Sequence, residues 1–155
     1  MNPVCSNACL RRRAGNALVE FALAFALIFP SLLGCVEFGF AFYQYQKLLS
    51  AVRSGAAYAS RLTYTSHTEI PSPSFLRSVR NMVVYGDPDG GDVPLVPGLR
   101  PEDVVVEVEF EMGYPRWVTV GIGEYRSTSP IKTLQFRHKP RLRMPYLGRF
   151  DPMAG

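Results

Sequence analysis

The stretch that decides the fold is Asn16–Tyr45, NALVEFALAFALIFPSLLGCVEFGFAFYQY. Phe21–Val36 carries no charge, and only Pro30 and Ser31 interrupt its apolar character. Continued to Tyr43, the run meets one acid, Glu37. A helix rises about 1.5 Å per residue, so Phe21–Tyr43 covers roughly 34 Å, enough for a hydrocarbon core about 30 Å thick. Arg11, Arg12 and Arg13 stand just before the run. By the positive-inside rule they mark the cytoplasmic boundary, and everything beyond about Tyr45 is then expected outside. An ordinary signal peptide fits less well. Its small-x-small cleavage site belongs just past a short apolar core, whereas Ala22-Leu23-Ala24 and Ala24-Phe25-Ala26 lie inside this one. Leu32-Leu33-Gly34-Cys35 faintly resembles a lipoprotein box, but the apolar run continues through Tyr43.

The rest of the composition narrows the class. In 155 residues, 17 Lys+Arg face 13 Asp+Glu. Arg11–Arg13 supply three of the bases and no acid precedes Asn16, so the remaining chain holds 14 bases and 13 acids. That near balance gives a nucleic-acid partner little support, and none is expected. Three cysteines, none after Cys35, and two distant histidines, His67 and His138, argue against a thiolate or histidine metal site. No glycine-rich nucleotide loop, nucleophile elbow or zinc-protease motif occurs, so no enzyme, cofactor or metal is expected.

Glu20 is the unusual residue. An acid at the head of a membrane run costs about 2.5–3.5 kcal/mol if it reaches mid-depth, so its position points to a use. Were the chain cut after Gly15, Asn16 would carry a free ammonium and Glu20 would be fifth in the new chain. One subunit's ammonium would then meet a neighbour's carboxylate and relieve both. The plainer alternative is that Glu20, one turn from Asn16, snorkels to the headgroups.

These residues resemble a known family. Arg12-Arg13-Ala14-Gly15, Asn16-Ala17-Leu18-Val19-Glu20-Phe21-Ala22-Leu23, Pro30-x-Leu32-Leu33 and Glu37-Phe38-Gly39 are similar to the start of TadE-like proteins. That family comprises minor pseudopilins of the tight-adherence (Flp, type IVb) pilus machinery. Ala51-Val52-Arg53-Ser54-Gly55-Ala56-Ala57-Tyr58-Ala59 resembles the stretch that follows there, and looser similarity covers most of the remaining chain. Asn16 is more polar than the family's usual first residue, and the segment after Phe136 is more basic. The resemblance implies a basic leader over 1–15, a transmembrane helix over 16–45 and an extracytoplasmic α+β domain over 46–155, pilin-like in arrangement. It implies cleavage between Gly15 and Asn16 by a membrane prepilin peptidase, with Glu20 and Phe21 as assembly residues. The implied partners are that peptidase, other tight-adherence pilins and pseudopilins, the inner-membrane pilus platform and the lipid bilayer. The implied location is the bacterial inner membrane, N-terminus cytoplasmic, outer domain periplasmic. The competing reading is an unprocessed, signal-anchored periplasmic binding module.

Beyond the membrane run, Leu48, Leu49, Val52, Ala56 and Ala59 form one helical stripe, predicting a single helix over Asn16–Leu62. Pro30 is a kink site, and Gly34, Gly39 and Gly55 permit close helix approach or are simply tolerated. Glu37 reads as a residue of the outer membrane boundary or as an assembly contact. Ser74 is the expected cap of a helix over Phe75–Tyr85, ended by Gly86. Asp87–Asp92 reads as a solvated turn rather than a calcium loop, since Gly98 stands where the last ligand belongs. Val104–Glu111 alternates as a strand, Arg116–Gly123 as its antiparallel partner across Gly113-Tyr114-Pro115, with further strands over Ile131–Arg137 and Arg141–Tyr146. Arg137, His138, Lys139, Arg141, Arg143 and Arg149 cluster near the C-terminus. Pairing with Glu107, Glu109 and Glu111 or simple solvation is the favoured reading, ahead of partner or lipid contact and of nucleic acid. The predicted class is α+β, a long transmembrane helix continuing into a small antiparallel-sheet domain.

Overall fold

The computed structural model describes the backbone of residues 6–128 and 133–152, and side chains from residue 16 onward apart from 127, 128 and 134. It has the expected class: a long N-terminal apolar helix, then a small α+β domain. Two units are distinct, Met1–Phe40 and Ala41–Gly155.

Helix α1 runs Ser6–Ala59, with Pro30 inside it. It therefore starts ten residues before the predicted Asn16 and stops three short of Leu62. In the first unit its apolar side chains are exposed, among them Leu27 at 76% and Phe38 at 75%. Leaving so much apolar surface on one helix makes sense only with lipid or protein around it. From Gln44 the helix gains a buried face: Gln44, Leu48, Ala51, Val52, Gly55, Ala56 and Ala59. Gly55 lets helix α2 approach. A Cβ placed there would lie 2.2 Å from Val83 Cγ2, far inside contact distance. At Gly34 and Gly39 a Cβ would meet nothing within 4 Å, so only one of the three glycines serves packing within this chain.

Helix α2 spans Pro73–Tyr85. Its cap is Ser72, whose Oγ accepts from the Phe75 N–H at 3.4 Å, not Ser74. Pro73 explains the shift, since proline suits the first helical position, where its missing N–H costs nothing. Gly86 ends the helix in the left-handed region at φ 80°, as predicted. Asp87–Asp92 is a chain of turns and bends.

The main sheet has the order β1-β2-β5, all antiparallel: β1 Val104–Glu111, β2 Tyr114–Ile122 and β5 Arg141–Pro145. Val104, Val106 and Val108 oppose Ile122, Val120 and Val118, and all six are buried. That face closes on Leu48, Val52 and Ala56 of α1 and Val79 and Val83 of α2 in one core. Each such fully buried side chain contributes about 1.5–3 kcal/mol relative to exposure. The β1–β2 connection corrects the sequence reading. The turn is Met112-Gly113, both at positive φ (54° and 83°), the geometry that matches strand twist in two-residue hairpins. Tyr114 and Pro115 belong to β2, and the register slips between Glu109 and Phe110, a bulge that accommodates proline in a strand.

A second sheet pairs β3, Glu124–Thr128, with β4, Thr133–Arg137. β3 was not expected from the sequence. Of the third predicted strand, Ile131 and Lys132 lie outside the described residues. Tyr125 and Phe136 stack at 6.1 Å, Phe136 meets Tyr45 of α1 at 6.3 Å, and the Tyr125 hydroxyl donates to Pro97 O at 2.7 Å. The chain then closes on itself. Tyr64 bridges Phe150 in parallel, and Tyr64, Phe75, Phe110, Tyr146 and Phe150 form one aromatic cluster.

Candidate functional site

The residues that carry the sequence argument sit on the first half of α1. Asn16 and Glu20 are both exposed, one helical turn apart. At that spacing two side chains share a face, with Cβ atoms about 5–6 Å apart. Ser31 closes its hydroxyl onto the Leu27 carbonyl at 3.0 Å, so this polar side chain makes no demand on the surroundings. Glu20 projects from an exposed stretch of helix.

Phe21 belongs to a different face. Phe21, Phe25 and Phe29 follow at four-residue intervals, with stacked rings 6.0 and 5.0 Å apart. At about 100° per residue, Phe25 lies roughly 140° round the helix from Glu20. The segment thus has an acid-bearing side with Asn16, Glu20, Ala24 and Leu27, and an aromatic ladder turned away from it. Alternation of this kind is invisible in a plain apolar count. Glu37 is half-buried and lies in the same helix. Arg11, Arg12, Arg13 and Gly15 are helical in backbone, and their side-chain placement lies outside the described residues.

In the second unit, Lys47 Nζ lies 4.8 Å from the centre of the Tyr43 ring. An exposed tyrosine topped by a lysine is the pairing found where helices leave a bilayer. Gln44, buried nearby on the same helix, has an Oε1 with no hydrogen-bond partner among the described residues. No sequence signal marked it, because glutamine next to a membrane run normally faces water.

The basic cluster is largely paired. Arg141 contacts Glu107 and Arg143 contacts Glu109, both reaching across β2. Arg143 also covers the Trp117 ring at 4.4 Å. Arg137 meets Glu124 at 3.7 Å, and Arg149 meets Asp151 at 3.3 Å. Glu111 departs from the expected pattern and pairs with Arg116 at 3.4 Å. These arginines spread over β2, which is why Thr119 is buried and why a Cβ at Gly121 would meet Arg141 Cγ at 3.0 Å.

Two tyrosines have raised pKa values. Burial pushes Tyr64 up to about 12, its hydroxyl donating to Thr68 O at 2.7 Å. Burial also raises Tyr146, whose hydroxyl is shared between the carbonyls of Leu62 (2.7 Å) and Arg149 (2.8 Å). Both tie separate parts of the domain together, Tyr64 to Thr68 and Tyr146 to Leu62 and Arg149. A groove of about 460 Å³ is lined by Ser54, Ala57, Tyr58, Arg61, Leu62 and Met82, mostly apolar. Among the described residues, no three His, Cys, Asp or Glu side chains gather as a metal set.

A family model described as TadE-like protein matches residues 15–57. No curated protein and no solved structure matches the chain. The matched segment opens at Gly15, contains Asn16, Glu20, Phe21 and Glu37, and ends two residues before α1 does. It lies on a helix long and apolar enough to cross a membrane. Over that segment the chain is similar to TadE-like proteins, and the likeness suggests involvement in tight-adherence pilus systems.

Proposed function

We propose that the chain is a minor pseudopilin that takes part in assembling a tight-adherence (Flp, type IVb) pilus. In this reading residues 1–15 form a leader, and a membrane prepilin peptidase cuts between Gly15 and Asn16. Residues 16–45 hold the chain in the bacterial inner membrane with the N-terminus cytoplasmic, and 46–155 work in the periplasm. The role is assembly and not catalysis.

One observation carries the reading. Glu20 is an exposed acid on a membrane-length apolar helix, at the fifth position after Gly15, within the TadE-like match. Cleavage creates an ammonium on Asn16, one turn from Glu20 on the same face. In the membrane-inserted monomer that amine stays beside its own carboxylate near the headgroups. When helices gather, Glu20 turns to a neighbour's amine, and the pair buries together what neither group buries alone. The aromatic ladder of Phe21, Phe25 and Phe29 faces lipid or a second neighbour through apolar contact alone.

The partners are other tight-adherence pilins and pseudopilins and the inner-membrane platform. A nucleic acid is disfavoured, because a polyanion would have to displace the acids already on Arg141, Arg143, Arg137 and Arg149. The test is Glu20→Gln. Membrane insertion should be unchanged, while surface pili fall sharply. Normal piliation with the variant as the only copy would remove the reading.

A further inference from the structure

Helix α1 does not begin after the bond assigned to cleavage; it runs through it, from Ser6 to Ala59. Gly15 and Asn16 therefore lie in the middle of regular helix, with more than two turns before them. In such a helix the Gly15 carbonyl accepts from the N–H of residue 19, and the Asn16 N–H donates to the carbonyl of residue 12. Both atoms of the scissile bond are then engaged, and the curved backbone keeps water and the peptidase from the carbonyl carbon. Hydrolysis adds the hydroxyl of water to that carbon and a proton to the Asn16 nitrogen. Neither can happen until the turn opens.

The sequence is weakest at this place. From Ala8 to Ala26 the chain is mostly Ala, Leu, Arg and Glu, which favour helix. Cys9, Val19, Phe21 and Phe25 are poorer formers but stand singly between good ones. Gly15-Asn16 is the one adjacent pair of poor formers in that span. Glycine has the larger backbone entropy to lose, and asparagine offers its own side chain to nearby backbone groups in non-helical states. The lowest local helix stability thus coincides with the bond to be cut.

We propose that Gly15 and Asn16 are positioning residues that make processing possible by letting α1 open locally, independently of any side-chain recognition of Asn16. The proposal rests on the processing reading above. It also accounts for a polar first residue at a place where an apolar one would serve membrane anchoring better.

The test uses the full chain in membranes with a prepilin peptidase, following the fraction cut over time by intact mass. Gly15→Ala should slow cutting about fivefold and Asn16→Ala about threefold, the factors expected from helix preference. Adding Ala17→Gly to Gly15→Ala should restore the rate, with the cut still between positions 15 and 16. A second readout needs no peptidase. Amide hydrogen exchange over residues 15–19 of the full chain in vesicles should slow in Gly15→Ala and recover in the double variant. If the wild type is cut normally but Ala17→Gly gives no rescue, or if exchange ignores both substitutions, this proposal fails and the processing reading stands. A wild-type chain that stays whole removes both.

Discussion

Gly55 and Tyr64 show how single positions set the packing of the outer domain. Gly55 stands where α1 and α2 touch, and Gly55→Val would drive a side chain into Val83. Overpacking of this kind costs about 1–3 kcal/mol. The expected result is a lower thermal midpoint for the full chain in detergent, partly recovered by Val83→Ala, read by circular dichroism. Tyr64 gives a pH dependence with a definite sign. Its folded pKa, about 12, lies above the ordinary 10.0 because burial penalises the phenolate. The stabilisation from keeping it neutral is complete below pH 10 and is lost as pH climbs toward 12. Denaturant titrations at pH 9, 10 and 11 should show falling stability, and Tyr64→Phe should flatten that part of the fall. A residue's neighbours across the fold are what the sequence withholds. Glycine at 55 looked the same as glycine at 34 and 39, and nothing in the polar run Thr63-Tyr64-Thr65-Ser66-His67-Thr68 marked Tyr64 as a core residue tied to Phe150.

Among the elements, long periodic ones were legible and contact-dependent ones were not. The Leu48–Ala59 stripe and the Val104–Phe110 alternation each repeat one period long enough to fix which side is buried. Among the described side chains of β3, Glu124–Thr128, Tyr125 is the buried one, and the strand pairs with β4 along its length. The turn lies at Met112-Gly113 and not over Gly113-Tyr114-Pro115, so β2 starts two residues earlier than expected; Pro115 looked like a turn former, while the bulge opposite Phe110 makes room for it in the strand. The ladder of Glu107–Arg141 and Glu109–Arg143 is one of the two outcomes the charge pattern favoured, beside simple solvation, and its energetic weight is small. These side chains are about half exposed, and such pairs contribute about 0–1 kcal/mol. Glu109→Gln should therefore lower stability by less than about 1 kcal/mol, by denaturant titration of the full chain. A larger loss would mean that Arg143, stacked on Trp117, depends on its acid more than exposed pairs do.

For the molecule as a whole, the apolar helix explains more than any pocket does. Leu18–Phe42 leaves large side chains exposed that water alone would not tolerate, and the TadE-like match covers that helix and little of the sheet domain. The candidate site stands in the sequence as a local signal: Arg11–Arg13, Gly15, an acid five positions later and an uncharged run over Phe21–Val36. The helix running upstream through Gly15 was not readable, since a leader and an anchor were parsed as separate parts while the backbone joins them. The account stands on a new amino terminus beside Glu20. The direct measurement is the intact mass and N-terminal sequence of the protein purified from cells that make its pili. A chain beginning at Asn16 is the predicted result; piliated cells in which the protein keeps residues 1–15 would contradict it.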